Sequence, residues 1–165
     1  MKKLFIVFIS CCLLGHGGAA LAQDAGTQDY QGQIFPAQKD YQPMFRQMFP
    51  EFTGRFTPTV EEARRADALS RAYLQSYDGP SAYYKNNIPR ILESLDGYGR
   101  QYFGFVDQEG NRVIWINYFL NDPEEKFDGW RDDIMLVLDG GYRYFNVKVN
   151  LTTGECYGLR INGVA

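Results

Sequence analysis

Histidine and cysteine are almost absent from this sequence. Its 165 residues include one histidine, His16, and three cysteines, Cys11, Cys12 and Cys156. Three of these four lie before Ala22, where we place a signal-peptide cleavage site, so the chain beyond it keeps Cys156 alone. That chain has no His for Ser-His or Cys-His catalysis, too few Cys and His ligands for structural zinc and no internal disulfide. We therefore predict no metal site, no cofactor and no catalytic residue.

Positive charge is also scarce. The sequence has 17 basic and 20 acidic residues, and removing Lys2 and Lys3 with the first 22 residues leaves 15 basic against 20 acidic, a net charge of −5. Nucleic acid and anionic membrane surfaces both require a basic patch. We expect neither as a partner.

The longest apolar run is at the N-terminus. Lys2 and Lys3 precede an apolar stretch over residues 4–14, and Ala20-Leu21-Ala22 follows. The stretch is too short to span ~30 Å of hydrocarbon but is typical of a secretory signal peptide with small residues at its cleavage site. We predict a signal peptide over residues 1–22, cleavage after Ala22, and a periplasmic or extracellular protein.

A second interpretation of this region is a lipoprotein signal. Phe8-Ile9-Ser10 precedes Cys11 and Cys12 and could act as a loose lipobox. Lipidation at Cys11 or Cys12 would anchor the protein to a membrane, whereas cleavage after Ala22 would release it.

The remaining chain has the length of one domain. Residues 23–33 are polar and predict a flexible leader. Residues 34–56 carry many aromatic residues between prolines, with Pro43 and Pro50 placed to begin and end a short helix. We predict a single domain over residues 34–165, in which the aromatic segment 34–56 packs on the sheet face opposite the helices.

Two helices follow. Thr59 and Glu62 have the spacing of a capping box, and the helix should end at Gly79-Pro80. Its predicted apolar stripe is Ala66, Leu69, Tyr73 and Tyr77, and its predicted solvent side is Arg64, Arg65, Asp67 and Arg71. A shorter helix is predicted from near Asn87 to Gly97.

Strands make up the rest. The predicted strands are residues 101–106, 112–120, 134–138, 142–150 and 155–161. Gly-containing turns separate them, and the turn at Gly140-Gly141 requires positive φ. The pattern predicts an α+β fold, with N-terminal helices packed on a five-stranded antiparallel sheet. By element order alone, a cystatin-like or peptidase-propeptide-like roll is the nearest architecture.

Several stretches of residues 56–165 resemble small exported bacterial proteins of unknown function. They are Phe56-Thr-Pro-Thr59, Arg100-Gln-Tyr-Phe-Gly-Phe-Val106, Val113-Ile-Trp-Ile-Asn117, Asp139-Gly-Gly141, Phe145-Asn-Val-Lys-Val-Asn-Leu151 and Ile161-Asn-Gly163. The resemblance implies an α+β fold and carries no catalytic or binding residues.

Acidic residues offer two candidate sites. The loop over residues 121–133 has enough carboxylates for Ca²⁺, but its spacing does not match the EF-hand loop. Asp107 and Asp139 could form the carboxylate pair that a glycosidase needs, yet acids at turns commonly bond nearby backbone N–H groups. Ordinary solvated turns account for both.

The second face of the sheet is the predicted ligand-binding surface. Tyr142, Tyr144, Asn146 and Lys148 alternate away from the helices, and Trp115 can join them. Aromatic and amide groups suit a protein or glycan partner, unless the segment 34–56 covers them. Cys156 is assigned to this same face, as an unactivated thiol.

These observations favour a non-enzymatic exported interaction or binding module of the cell envelope, with an unknown protein or glycan partner. A carboxylate-based hydrolase and a small-ligand or calcium-binding protein remain as alternatives.

Overall fold

The computed structural model describes residues 32–39, 41–120 and 129–164, without the side chains of residues 42 and 43. The helices are α1 Gln42–Met48, α2 Val60–Gln75 and α3 Ala82–Ser94. The strands are β1 Gly32–Phe35, β2 Phe52–Phe56, β3 Tyr98–Asp107, β4 Arg112–Leu120, β5 Tyr144–Asn150 and β6 Cys156–Ile161. Short 3₁₀ turns lie at Leu95–Gly97 and Gly141–Arg143. No described helix is both long enough and apolar enough to cross a membrane.

The strands form one sheet in the order β1-β3-β4-β5-β6. β3 to β6 are antiparallel neighbours, whereas β1 runs parallel to the first half of β3 and β2 antiparallel to its second half. β1 and β2 therefore share one edge of β3. The α+β prediction is confirmed, with a mostly antiparallel sheet of six strands.

The strand count differs from the predicted five for two reasons. Residues 134–138 are not a strand, because β4 pairs directly with β5, Ile116 opposite Val147. The aromatic segment adds β1 and β2. Gly32 and Gln33, which the sequence placed in the leader, lie in β1 opposite Arg100 and Gln101.

Helix α2 begins at the predicted capping box. Thr59 Oγ1 accepts a hydrogen bond from Glu62 N at 3.2 Å, and Thr59 N donates to Glu62 Oε2 at 2.9 Å. Its buried stripe differs from the prediction and consists of Ala63, Ala66, Ser70 and Leu74. Small side chains let the helix backbone approach the sheet, so Leu69, Tyr73 and Tyr77 lie at the margin of the contact, where they are partly buried.

Helix α3 begins at Ala82, earlier than predicted. Ser81 Oγ caps it by accepting from Tyr84 N at 3.2 Å. Pro89, which the sequence placed at the helix start, lies inside the helix. The predicted end at Gly97 coincides with the 3₁₀ turn that follows α3.

Each face of the sheet has its own core. The helix-facing core packs α2 and α3 on β3, β4 and β5 through residues such as Ile91, Tyr98, Tyr118, Phe145 and Val147. On the other face, α1 and β1 contribute to a second-face aromatic cluster. Its buried members are Phe35, Phe45, Phe49, Phe103, Phe105 and Trp115.

Cys156 lies on the opposite side of the sheet from the one predicted. Gly158 adopts φ +62°, and the β5–β6 register shifts between Asn146 and Lys148. This irregularity turns Cys156 toward the helix-facing core, where Leu159 also packs. Burial raises the pKa of the Cys156 thiol to about 11, so the thiol is protonated at neutral pH.

Candidate binding groove

An irregular segment over residues 130–139 crosses the second face and is held by side-chain amides. Gln101 Nε2 donates to the carbonyls of Trp130 at 2.6 Å and Asp133 at 2.7 Å. Gln101 Oε1 accepts from Met135 N at 2.8 Å. One glutamine on β3 thus satisfies three backbone groups that a strand would have paired with another strand.

Two asparagines continue this pattern. Asn117 Nδ2 donates to Met135 O at 2.6 Å and to Gln101 Oε1 at 3.2 Å. Asn162 Nδ2 donates to Val137 O at 2.6 Å and to Asp139 O at 3.0 Å. Each such bond contributes a net ~0.5–1.5 kcal/mol. Together they fix the segment as a wall on the second face.

Beside this wall lies a groove of about 490 Å³. Its lining includes Met48 at the end of α1 and residues 135–138. Its rim is apolar and accessible, because Leu138 is 95% exposed, Leu136 50% and Met48 37%. Exposed apolar residues grouped at a concave site mark interaction surfaces more often than scattered ones do.

Two polar side chains of the groove have no partner within the described part of the chain. Asn146 on β5 lies opposite Arg160 on β6, and both line the groove. Cross-strand neighbours have Cβ atoms ~4.5–5.5 Å apart, so an amide and a guanidinium are presented side by side. The arrangement offers donors for an acceptor or an anion, between apolar walls.

The three predicted ligand-binding residues have different environments. Trp115 and Tyr144 both line the groove, but they are only 1% and 9% exposed. Trp115 is packed against Phe49, with ring centroids 5.1 Å apart. Tyr142 does not lie on the second face as predicted: it packs against the helix-facing core, and the Arg90 guanidinium lies 3.8 Å from the centroid of its ring.

Sequence reasoning did not single out the exposed members of the groove. Alternation already placed Asn146 and Arg160 on the second face, which was the available signal. Leu136 and Leu138 gave no signal, because in a strand they would have been buried. The aromatic residues that drew attention are mostly covered, and the accessible groups are aliphatic, amide and guanidinium.

The carboxylate pair proposed from sequence is not a pair. Asp107 lies at the β3–β4 turn, where its Oδ1 accepts from Glu109 N at 3.1 Å and Asn111 N at 2.7 Å. Asp139 precedes the 3₁₀ turn before β5, at the other end of the strands. The length of β4 separates these ends, which is about 25 Å at ~3.3 Å per residue. The two carboxylates therefore cannot act on one bond.

The structure describes only residues 129–133 of the acidic loop. Residues 121–128 lie outside the described residues. Asp133 Oδ1 accepts from Ile134 N at 2.8 Å, and this backbone bond is the main cause that lowers the pKa of its carboxyl. Across residues 32–39, 41–120 and 129–164, no three His, Cys, Asp or Glu side chains are grouped to hold a metal ion.

A cluster around Asp67 was missed by the sequence analysis, which placed this residue on the solvent side of α2. Asp67 accepts from Tyr102 Oη at 2.7 Å and Tyr118 Oη at 2.9 Å, and Arg100 Nε lies 3.2 Å from its Oδ2. Burial raises the pKa of the Asp67 carboxyl, although Arg100 and the two tyrosine hydroxyls favour the ionised form.

The protein's own donors occupy both carboxylate oxygens of Asp67. The cluster ties α2 to β3 and β4, and its role is structural. Its only sequence signal was spacing, since Asp67 follows the buried Ala66 directly and precedes the buried Ser70 by three residues.

The chain has no significant match among models of protein families, curated proteins or solved structures.

Proposed function

We propose that this protein is a non-enzymatic binding module whose ligand site is the groove between α1, residues 135–138 and the β5–β6 strands. The observation that carries the proposal is that Asn146 and Arg160, neighbours across β5 and β6, both line the groove without side-chain partners among the described residues, together with exposed aliphatic residues. Ligand sites commonly combine apolar walls with a few convergent polar groups.

The chemistry of the groove favours a protein segment over a glycan. Sugars are usually held by stacking on exposed aromatic faces, but Trp115 and Tyr144 are buried. Leu136, Leu138 and Met48 suit apolar side chains of a partner, and Arg160 suits a carboxylate because guanidinium binds carboxylate in a bidentate way. The ligand is therefore an extended acidic and apolar segment of a partner protein.

The absence of enzymatic activity is supported by the state of the carboxylates named above. Asp67 accepts from two tyrosines and pairs with Arg100, and Asp107 caps its own turn. Neither leaves a carboxylate aimed at a substrate. Because the chain after Ala22 has no histidine, general acid–base catalysis would need other groups such as carboxylates, and these two are engaged within the protein.

Export and a finer description of the fold belong to the same proposal. Residues 1–22 have the pattern of a secretory signal, which supports a periplasmic or extracellular location. Helices α2 and α3 on one face of the antiparallel strands β3 to β6 support a cystatin-like or peptidase-propeptide-like roll. Folds of this kind are compatible with a binding role, although fold alone does not establish function.

Selection from a library of random displayed peptides tests the proposal. We expect wild-type protein to enrich peptides with Asp or Glu flanked by apolar residues. Arg160→Met should raise their Kd by about 10-fold or more, because a charged hydrogen bond contributes ~1.5–3 kcal/mol. Leu138→Lys should weaken binding without unfolding the protein, since Leu138 is 95% exposed. Arg65→Met, on the exposed side of α2, is the matched control.

Two results would contradict the proposal. Selected peptides could bind Arg160→Met and Leu138→Lys as tightly as wild type, which would place their site elsewhere. A glycan array could instead yield ligands whose binding is lost in Asn146→Ala, which would replace the protein partner with a sugar.

A further inference from the structure

A second, smaller cavity of about 90 Å³ lies between α1 and β2. We call it the arginine pocket, because Arg46 of α1 and Arg55 of β2 both line it. Its remaining lining consists of Phe45, Phe49, Phe52, Thr53, Gly54 and Phe105. None of these residues lines the groove described above, so the pocket is independent of the proposed function.

Arg55 has an unusual environment. Its guanidinium carbon lies 5.1 Å from the Phe45 ring centroid, 5.9 Å from that of Phe103 and 5.6 Å from that of Phe105. Nη1 donates to Lys39 O at 3.0 Å. Nε and Nη2 are buried and have no hydrogen-bond partner within the described part of the chain.

The two unpartnered nitrogens lie on the same side of the guanidinium. Nε and Nη2 form one edge of the guanidinium, the edge that binds the two oxygens of a carboxylate or phosphate in parallel. A buried donor without a partner costs more free energy when it belongs to a charged group than when it belongs to a neutral one. Burial lowers the pKa of Arg55, but an arginine side chain keeps its charge at neutral pH, so loss of the proton does not relieve that cost. Contacts with aromatic faces recover only part of it.

Arg46 brings a second positive charge to the same pocket. It lies in the last turn of α1 and is exposed. The ion pairs of the described residues involve neither Arg46 nor Arg55. Glu51, which is close in sequence, pairs with Lys148 instead. Two arginines therefore line one small cavity, and neither forms an ion pair with a described carboxylate.

We infer that the arginine pocket binds one oxyanion, of the carboxylate or phosphate type, between the Nε–Nη2 edge of Arg55 and the guanidinium of Arg46. A volume of about 90 Å³ is several times the ~10–15 Å³ that a cavity needs to hold one water molecule, which leaves room for a single oxyanion group. The aromatic rings hold the Arg55 plane in place, so little side-chain freedom is lost on binding.

Nuclear magnetic resonance of the arginine Nε–H groups tests this inference in the intact protein. Inorganic phosphate and acetate are titrated separately, at ionic strength kept constant with sodium chloride. We expect the Arg55 Nε–H signal to shift and saturate with at least one of them, and the tighter of the two identifies the type of oxyanion. Arg46→Met should raise the Kd about tenfold or more, whereas Arg65→Met should leave it unchanged.

Thermal unfolding gives a second measurement. Phosphate stabilises many proteins by exclusion from their surfaces, so the relevant quantity is the difference between variants. Phosphate should raise the Tm of wild type more than that of Arg46→Met or Arg55→Met, because an anion bound only to the folded state adds RT ln(1 + [L]/Kd).

The inference is overturned if the Arg55 signal moves linearly with both anions, or if Arg46→Met binds as tightly as wild type. Arg46 is exposed, so this variant remains informative even if Arg55→Met fails to fold. Loss of peptide binding at the groove would leave these titrations unaffected, which separates the two proposals.

Discussion

Each face of the sheet holds a partly buried charge, and the two charges differ in how fully the protein supplies their partners. On the helix-facing side, Asp67 is ionically paired with Arg100 and hydrogen-bonded by Tyr102 and Tyr118. On the other side, Arg55 is packed among phenylalanine rings with two of its nitrogens unpartnered in the described chain. We call a charge saturated when the protein itself supplies its partners, and such a charge holds elements of the fold together. An unsaturated charge, which has unpartnered nitrogens, can still bind a ligand.

The elements that cover the two faces differ as well. Helices of 16 and 13 residues cover the helix-facing core, whereas the only helix described on the second face has 7 residues. A helix that short is not stable by itself. Aromatic contacts such as Phe35 stacked on Phe103, with centroids 4.6 Å apart, hold this cover in place. Both binding sites proposed above lie on the more lightly covered face.

Removing the cover should have the largest effect. A chain that begins at Thr57 loses β1, α1 and β2, and with them Phe35, Phe45 and Phe49. Each buried aromatic contributes ~1.5–3 kcal/mol, and whole domains are stable by only ~5–15 kcal/mol. We expect this chain to aggregate or to bind a hydrophobic dye, whereas a control chain that begins at Gly32 should unfold cooperatively. A monomeric Thr57 chain with the full-length Tm would show that the second face needs no cover.

Breaking the saturated charge should have the next largest effect. Asp67→Ala leaves Arg100, Tyr102 and Tyr118 without their acceptor, and we expect it to lower the free energy of unfolding by ~3–5 kcal/mol. Asp67→Asn should cost less, because burial raises the pKa of Asp67 and so favours a neutral group at this position over a charged one. Urea unfolding of both variants measures the difference. Equal losses would mean that the negative charge itself is required.

Replacing the unsaturated charge, Arg55, should not lower the free energy of unfolding in this way. Arg55→Met keeps an apolar stem of similar length against the rings and removes the unsatisfied donors. In buffer without oxyanions we expect the free energy of unfolding to stay unchanged or to rise by ~1 kcal/mol, since apolar replacement of a poorly compensated buried charge is often stabilising. A loss comparable to that of Asp67→Ala would show that the aromatic rings alone satisfy Arg55, and the comparison between faces would fail.

Cys156 provides the smallest test, through pH. Its pKa is raised by burial from 9.0 to about 11, so the unfolded thiol ionises at lower pH than the folded one. Stability from this group is fully present below pH ~9 and is lost as the pH rises toward ~11. Wild type should therefore lose stability relative to Cys156→Ser over this window, and iodoacetamide should label the folded protein slowly at pH 8. Rapid labelling would show that the Cys156 thiol ionises readily in the folded protein, which would contradict a pKa raised by burial.

Local signals in the sequence were sufficient for several elements. The capping box of Thr59 and Glu62 fixed the start of α2, Pro43 and Pro50 bounded α1, and Asp107 formed the β3–β4 turn. Positive φ at Gly140 and Gly141 was also predicted correctly, at 85° and 60°. In each case the responsible atoms are within a few residues of one another, so propensity and short-range bonding decide the outcome.

Residues 134–138 show where such reasoning failed. Five consecutive apolar residues predict a buried strand, but Gln101 and Asn117 bind the backbone of this segment through their amides and leave Leu136 and Leu138 exposed. Those amides come from β3 and β4, more than fifteen residues away in sequence. The sequence of residues 134–138 alone does not show whether their backbone pairs with a strand or with side-chain amides.

The sequence alone therefore determined the α+β class, the acidic balance and the lack of histidine chemistry beyond Ala22, because these depend on composition and local pattern. Only the tertiary structure decided that Gly158 turns Cys156 into the helix-facing core, that Asp67 is saturated, and that Arg46 and Arg55 share one cavity. The physical reason is that the free energy of a buried charge depends on the groups brought next to it by chain segments distant in sequence. Periodicity can place such a residue on a face, but it does not specify the groups that will surround it.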